Sequence, residues 1–233
     1  MNTLAFDTCF GACSAAVTWS ATDERLQACR FERMPRGHAE RLLPMVGEIM
    51  AEAPFAFSDL ERIVVTTGPG TFTGQRVGIA AARAIALATG ASVAPLSSLA
   101  VMAFTAAHEL GEDADGKVLA VAVDARRGEI YFQAFAGADW EALDAPAVLA
   151  PDAAAARLRA QTALAVGSGA ALLSAAAQDI GLSIPATLPA LEADVRYIPE
   201  TAIVTVDGPV RPLYLRPPDA KPQDGMSLER VPS

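Results

Sequence analysis

The chain is 233 residues long, 52% apolar and only 19% charged, with a formal net charge of −9. That length allows one large domain or two of about 100–120 residues each, with a substantial core. The acidic balance opposes a free-standing nucleic-acid binder, because neutralising phosphates needs clustered Lys and Arg, and the densest cluster here is Arg126-Arg127.

The N-terminus, MNTLAFDT, has no basic segment and carries an acid at Asp7, so it does not read as a signal peptide. Thr3 to Asp7 is a short apolar run ending in that acid, and Cys13 to Trp19 and Gln27 to Arg33 have strand character. With turn residues at Gly11 and Thr22-Asp23, these three runs predict an antiparallel meander. GHAERLLPMVGEIMAEA then places Leu42, Met45, Val46 and Ile49, and also Leu43 and Met50, at helical spacing, with Pro44 early enough to kink or tighten the first turns. Ser58 to Leu60 reads as a short turn feeding a strand at Ile63–Thr66.

A glycine turn, Gly68-Pro69-Gly70, follows that strand and opens into a helix over Phe72–Thr89. Ser92 to Pro95 is a predicted strand, and Ser97 or Ser98 caps a helix through Ala107. The uncharged stretch from Ala84 to Ala107 is long enough to span a bilayer, but Thr89-Gly90, Pro95 and Ser97-Ser98 divide it into helix end, strand, turn and new helix. KVLAVAVD and EIYFQAFA, around an Ala-Arg-Arg-Gly turn, predict a hairpin. Helices are predicted from Pro151 to about Ala160 and from Ala170 to Ile180, with a strand at Ala163–Val166 between them. Glu192 to Ala202 is helix-like, although it contains Pro199, and the Pro-rich stretch after Arg216 reads as an extended arm.

The strand, glycine turn and helix start at 63–78 offer two readings. Backbone N–H groups at such a helix start can cradle a phosphate, yet the Walker lysine is missing and the spacing is not GxGxxG. Alternatively, Gly74, Gly78 and Ala82 clear one stripe of the helix for the close approach of another helix. Thr71 could touch a phosphate or cap the helix, and Asp7-Thr8 could hold a metal–phosphate group or cap a turn. The first helix carries a wider apolar surface than one core stripe needs, which suits either a partner or the covering of a sheet. The two histidines, His38 and His108, form no i, i+4 pair, and three cysteines (Cys9, Cys13, Cys29) suit reduced thiols rather than a disulfide framework.

The element order βββαβα, followed by a second mixed half, predicts an α/β class and matches a ribonuclease-H-like unit. Taken together, LAFDT at 4–8, GHAERLLP at 37–44, GPGTFTGQRVG at 68–78, DARRGEIY at 124–131 and PLYLRPPDAKPQ at 212–223 resemble the TsaB family, also called the YeaZ family. The family's turn motif is GPGSFTGLRIG, so Thr71 stands for the usual Ser and Gln75 for the usual Leu. The resemblance implies an actin-like ATPase and sugar-kinase fold in two subdomains, expected here at 1–97 and 98–216 with a tail at 217–233. It also implies a non-catalytic, cytoplasmic partner of TsaD, which transfers a threonylcarbamoyl group to tRNA, working with the ATPase TsaE. TsaD has a His-rich metal motif that this sequence lacks.

On this reading the interface comprises His38, Glu40, Leu42, Leu43 and Met45 on the first helix and Phe72, Gly74, Arg76, Val77 and Gly78 on the second. Val46, Ile49 and Ala82 extend it by helical spacing. Asp7, Thr8, Gly68, Gly70 and Thr71 are expected to be a vestigial phosphate loop. No cofactor, metal or membrane contact is expected, the lone chain is expected to form a homodimer, and tRNA is met only through the complex. The rival expectation is an ATPase or metallopeptidase using Asp7, Thr8 and the Gly68–Thr71 turn.

Overall fold

The computed structural model describes residues 1–21, 24–206 and 208–216. The turn expected at Thr22-Asp23 and the arm expected from residue 217 lie outside the described residues. Strands β1 (Thr3–Asp7), β2 (Ala12–Ala21) and β3 (Glu24–Arg33) form the meander, antiparallel throughout. Two crossovers, α1 (His38–Glu52) and α2 (Phe72–Thr89), then add β4 (Arg62–Gly68) and β5 (Ser92–Ser97) in parallel to β1. The resulting order is β3-β2-β1-β4-β5.

A second sheet is built from β6 (Val118–Asp124), β7 (Ile130–Ala136), β8 (Glu141–Ala142), β9 (Ala147–Leu149), β10 (Ala163–Val166) and β11 (Ala186–Thr187). Its order is β11-β10-β6-β7-β8, with β9 also paired to β7. Helix α3 (Ser98–Leu110) precedes this sheet, and α4 (Pro151–Arg157) and α5 (Ala170–Asp179) pack on it.

Strand periodicity explains the layering. In β1 and β4, Leu4, Phe6, Ile63 and Val65 point to one face, where they meet Leu42, Met45, Ile49, Ile79 and Ala82 of α1 and α2. Ala5 and Val64 point to the other face, where α3 lies. That helix packs on both sheets: Leu99, Met102 and Ala106 share a cluster with Ala5 and Ala16 on one side and Leu119, Val121 and Phe135 on the other. Beyond the second sheet the packing is alanine-rich (Ala120, Ala122, Ala154, Ala155, Ala170, Ala177), which lets short helices lie close to the strands.

The structure departs from the sequence reading in two respects. The three short strands β8, β9 and β11 carry no expectation from the sequence. The segment 192–202, expected to be helix-like, forms only two single 3₁₀ turns, Val195–Tyr197 and Glu200–Ala202. Its backbone groups are satisfied elsewhere: Asp194 N–H donates to Thr105 Oγ1 at 3.1 Å and Val195 N–H to Ser14 Oγ at 3.3 Å. Leu191, Ala193, Val195 and Ile198 fill the layer between the sheets, so tertiary burial overrides the helical pattern.

Candidate functional site

The end of β1 and the start of α2 are built against each other. Asp7 is 1% exposed; its Oδ1 accepts from Thr66 Oγ1 at 2.5 Å and its Oδ2 from Cys9 N–H at 3.2 Å. Burial pushes its carboxyl up from 3.8 to about 7, against the lowering effect of those hydrogen bonds. Cys9 and Cys13 are fully buried, and burial raises both thiols, Cys13 to about 12, so both behave as small apolar groups.

Thr71 caps α2: its Oγ1 accepts from Gly74 N–H at 3.0 Å. Thr71 N–H donates to Cys9 O at 2.8 Å, and Thr8 Oγ1 donates to Gly74 O at 2.7 Å. The first turn of α2 is thus laced to the β1–β2 connection. The glycines permit that contact. A Cβ on Gly70 would lie 2.5 Å from Cys9 O, and one on Gly74 would lie 2.0 Å from Thr8 O.

The small-residue stripe therefore docks α2 on its own sheet. Gly74, Gly78 and Ala82 are buried, and a Cβ on Gly78 would meet Thr8 Oγ1 at 2.9 Å and Val65 Cγ2 at 3.4 Å. The expectation that this stripe is a groove open to a second helix is corrected. The same correction applies to Leu42, Met45, Val46 and Ile49, each at most 1% exposed beneath α1. The sheet absorbs the wide apolar surface of that helix.

What α1 and α2 leave exposed is narrower. On α2, Phe72, Arg76, Ala80, Arg83 and Leu87 recur at i, i+4, i+8, i+11 and i+15, one outer stripe, with Phe72 52% and Leu87 89% exposed. The Arg76 guanidinium lies 3.7 Å from the Phe72 ring centroid, and its Nε donates to Tyr214 Oη at 2.8 Å. Tyr214 stacks on Phe72 with centroids 5.6 Å apart. Arg83 Nη2 donates to Val210 O at 2.5 Å. The segment 208–216 thus crosses α2, donates from Leu213 N–H to Thr67 O at 2.8 Å, and reaches the β6–β7 turn, where Arg216 Nη1 donates to Ala125 O at 2.6 Å.

The exposed side chains of α1 include Glu40, Leu43 (57%), Pro44, Glu48 and Glu52. Val77 and His38 are half-buried, and His38 Nε2 has no hydrogen-bond partner among the described residues. Arg41 joins Glu32 and Glu48, tying α1 to β3.

Sequence reasoning assigns no role to Glu192. Its Oε2 accepts from Gly11 N–H at 3.0 Å, across 181 positions of chain. A residue inside a segment read as a helix carries no local signal for that contact.

A five-stranded sheet of order 3-2-1-4-5, joined through α3 to a second mixed sheet, is the actin-like ATPase fold. A solved Pseudomonas aeruginosa structure described as similar to peptidase YeaZ superposes with a TM-score of 0.74 at 29% identity, covering 92% of this chain and 99% of that one. Residues 32–206 match a family model described as "TsaD: tRNA N6-adenosine threonylcarbamoyltransferase". Among named relatives, the Haemophilus influenzae tRNA threonylcarbamoyladenosine biosynthesis protein TsaB is 30% identical over 231 residues, 93% of this chain and 94% of that protein. The Escherichia coli protein of the same name is 37% identical over 155 residues, 65% of this chain and 64% of that protein. The chain belongs to the TsaB (YeaZ) family.

An ATPase-type fold implies a nucleotide, and the residues present do not fit its phosphates. Gly70 and Thr71 of the turn lie in contact with the Cys9 backbone, and Gly74 just beyond it with that of Thr8. The hydroxyl of Thr71 is spent on the helix cap, and a carboxylate already sits on the Gly11 N–H. Among the described residues no group of three or more metal-ligating side chains forms, and no helix is long and apolar enough to cross a membrane.

Proposed function

We propose that this chain serves tRNA threonylcarbamoyladenosine biosynthesis as a non-catalytic subunit that docks on TsaD through the outer faces of α1 and α2. TsaE joins the assembly, the lone chain pairs with a second copy through the same face, and tRNA is met only in the complex. The observation that carries this reading is the exposed Phe72–Arg76–Tyr214 stack on α2. Arg and aromatic side chains held rigid at a surface lose little entropy on binding and are enriched among the residues that dominate interface energies. Leu43 on α1 and Leu87 near the end of α2 add exposed apolar side chains to the two helices. The surface is narrower than the residue set expected from sequence: Leu43, Phe72 and Arg76 can touch a partner, whereas Gly74, Gly78, Ala82, Leu42, Met45, Val46 and Ile49 support it from beneath.

The test is co-purification with TsaD and TsaE, followed by reconstituted threonylcarbamoyl transfer with and without this chain. A Phe72→Ala/Arg76→Ala double variant is expected to lose co-purification and the stimulation of transfer. Full-strength capture by that variant, or transfer that proceeds equally without the chain, would overturn the reading.

A further inference from the structure

The β1–β2 connection places two carboxylates on two of its backbone N–H groups. Cys9 N–H goes to Asp7, the neighbour two positions back, and Gly11 N–H goes to Glu192, which arrives from the far end of the chain. The second contact is close: a Cβ on Gly11 would lie 2.5 Å from Glu192 Oε1, so the carboxylate would have to move aside for any larger residue.

The segment that brings Glu192 there is held in register on both sides. Ser14 Oγ donates to Ala193 O at 2.9 Å and accepts from Val195 N–H. Asp194 N–H goes to Thr105 of α3, and Arg33 donates to Ala190 O at 2.5 Å. Phe10, next to Gly11, packs on Tyr131 of the second sheet with centroids 6.2 Å apart. Phe10 and the 190–195 segment thus flank the connection on the side of the second sheet, while Phe10 and Gly11 stay partly exposed.

A half-buried carboxylate taken out of water needs compensation. No ion pair to Glu192 is found among the described residues; the charge acting on it is that of Arg33 on β3, and Glu192 in turn acts on the buried Asp7 of β1. Its hydrogen bond within the protein is the Gly11 N–H. Backbone N–H groups of a turn are donors that phosphoryl oxygens also use, so a carboxylate on the Gly11 N–H competes with them for that donor.

We propose that the β1–β2 turn is an oxyanion-binding site whose resident occupant is the Glu192 carboxylate, and that this built-in anion excludes phosphoryl groups from the cleft. The fold keeps its anion position and fills it from within. The disagreement between an ATPase-type fold and a turn that does not fit a nucleotide follows from that one side chain together with the glycine packing of α2.

The experiment follows the Gly11 amide by ¹H–¹⁵N NMR in the full-length chain, with inorganic phosphate and Mg-ATP as probes. In the wild-type protein the Gly11 amide is expected to shift as Glu192 titrates, above the ordinary glutamate range because burial raises it. That shift should vanish in Glu192→Gln, which also separates it from any effect of Asp7. Inorganic phosphate should leave the wild-type Gly11 amide unmoved and bind Glu192→Ala at least about tenfold more tightly, a difference of about 1.4 kcal/mol. A wild-type Gly11 shift unchanged by Glu192→Gln would overturn the proposal, and that measurement stands even if Glu192→Ala fails to fold. Equal phosphate or ATP binding by wild type and a folded Glu192→Ala would also overturn it.

Discussion

Thr8 and Gly74 lie in backbone contact: the Thr8 hydroxyl donates to Gly74 O at 2.7 Å, and a Cβ added to Gly74 would sit 2.0 Å from Thr8 O. The glycine lets α2 settle onto the end of β1, and the hydroxyl fixes its first turn there. Gly74→Ala forces backbone atoms apart at a place with no flexible side chain to yield. Overpacking of this kind costs about 1–3 kcal/mol, and rigid backbone on both sides puts this site at the upper end. Urea unfolding should show the loss, and a variant as stable as wild type would contradict the packing described. Gly78→Leu is expected to destabilise the fold for the same reason, not to spare it while blocking a partner.

The buried Asp7 makes stability depend on pH. Its carboxyl ionises at about 7 in the folded chain against an ordinary value of 3.8. The folded state therefore holds its proton more tightly than the unfolded one. Folding is favoured in full below 3.8 and loses stability progressively as pH rises to about 7. Asn at this position can accept from Cys9 N–H and donate to a rotated Thr66 hydroxyl. Asp7→Asn should match wild type near pH 4 and become more stable than it at pH 8, by a few kcal/mol at most. Thermal melts across that range would show the difference, and parallel pH profiles would disprove it.

Thr71 caps α2 through its hydroxyl, with the bond to Gly74 N–H at 3.0 Å. Thr71→Ala should cost about 1 kcal/mol of stability, and Thr71→Ser, which restores the oxygen, much less. Chemical denaturation of the pair distinguishes a cap from a side chain kept for a ligand, since a ligand role predicts no stability change.

Phe72 and Arg76 are exposed and packed chiefly on each other and Tyr214. Replacing either by Ala should change stability by no more than about 0.5 kcal/mol, as surface substitutions do. If the stack anchors TsaD, the same changes should weaken the complex by about 2 kcal/mol or more. Calorimetric titration against TsaD measures this, and a loss below about 0.5 kcal/mol for both variants would remove the stack from the interface.

The meander, the two crossovers and the capping of α2 are legible because their signals are local: strand alternation, helical spacing, and Thr71 placed before a run of small residues. The direction in which the small stripe faces is not legible. Gly74, Gly78 and Ala82 say that something comes close, and only the sheet beneath α2 says what. The apolar breadth of α1 is open in the same way, until Leu4, Phe6 and Val17 are found beneath it.

By itself the sequence determined the order of the longer strands and helices through α5, the family, and the residue types available to the turn and helices, since these follow from short-range periodicity and motif. Tertiary structure alone decided which faces are spent. Burial of apolar area does not distinguish a sheet from a partner until the chain closes on itself, and Glu192 reaches Gly11 only after 181 positions have folded between them.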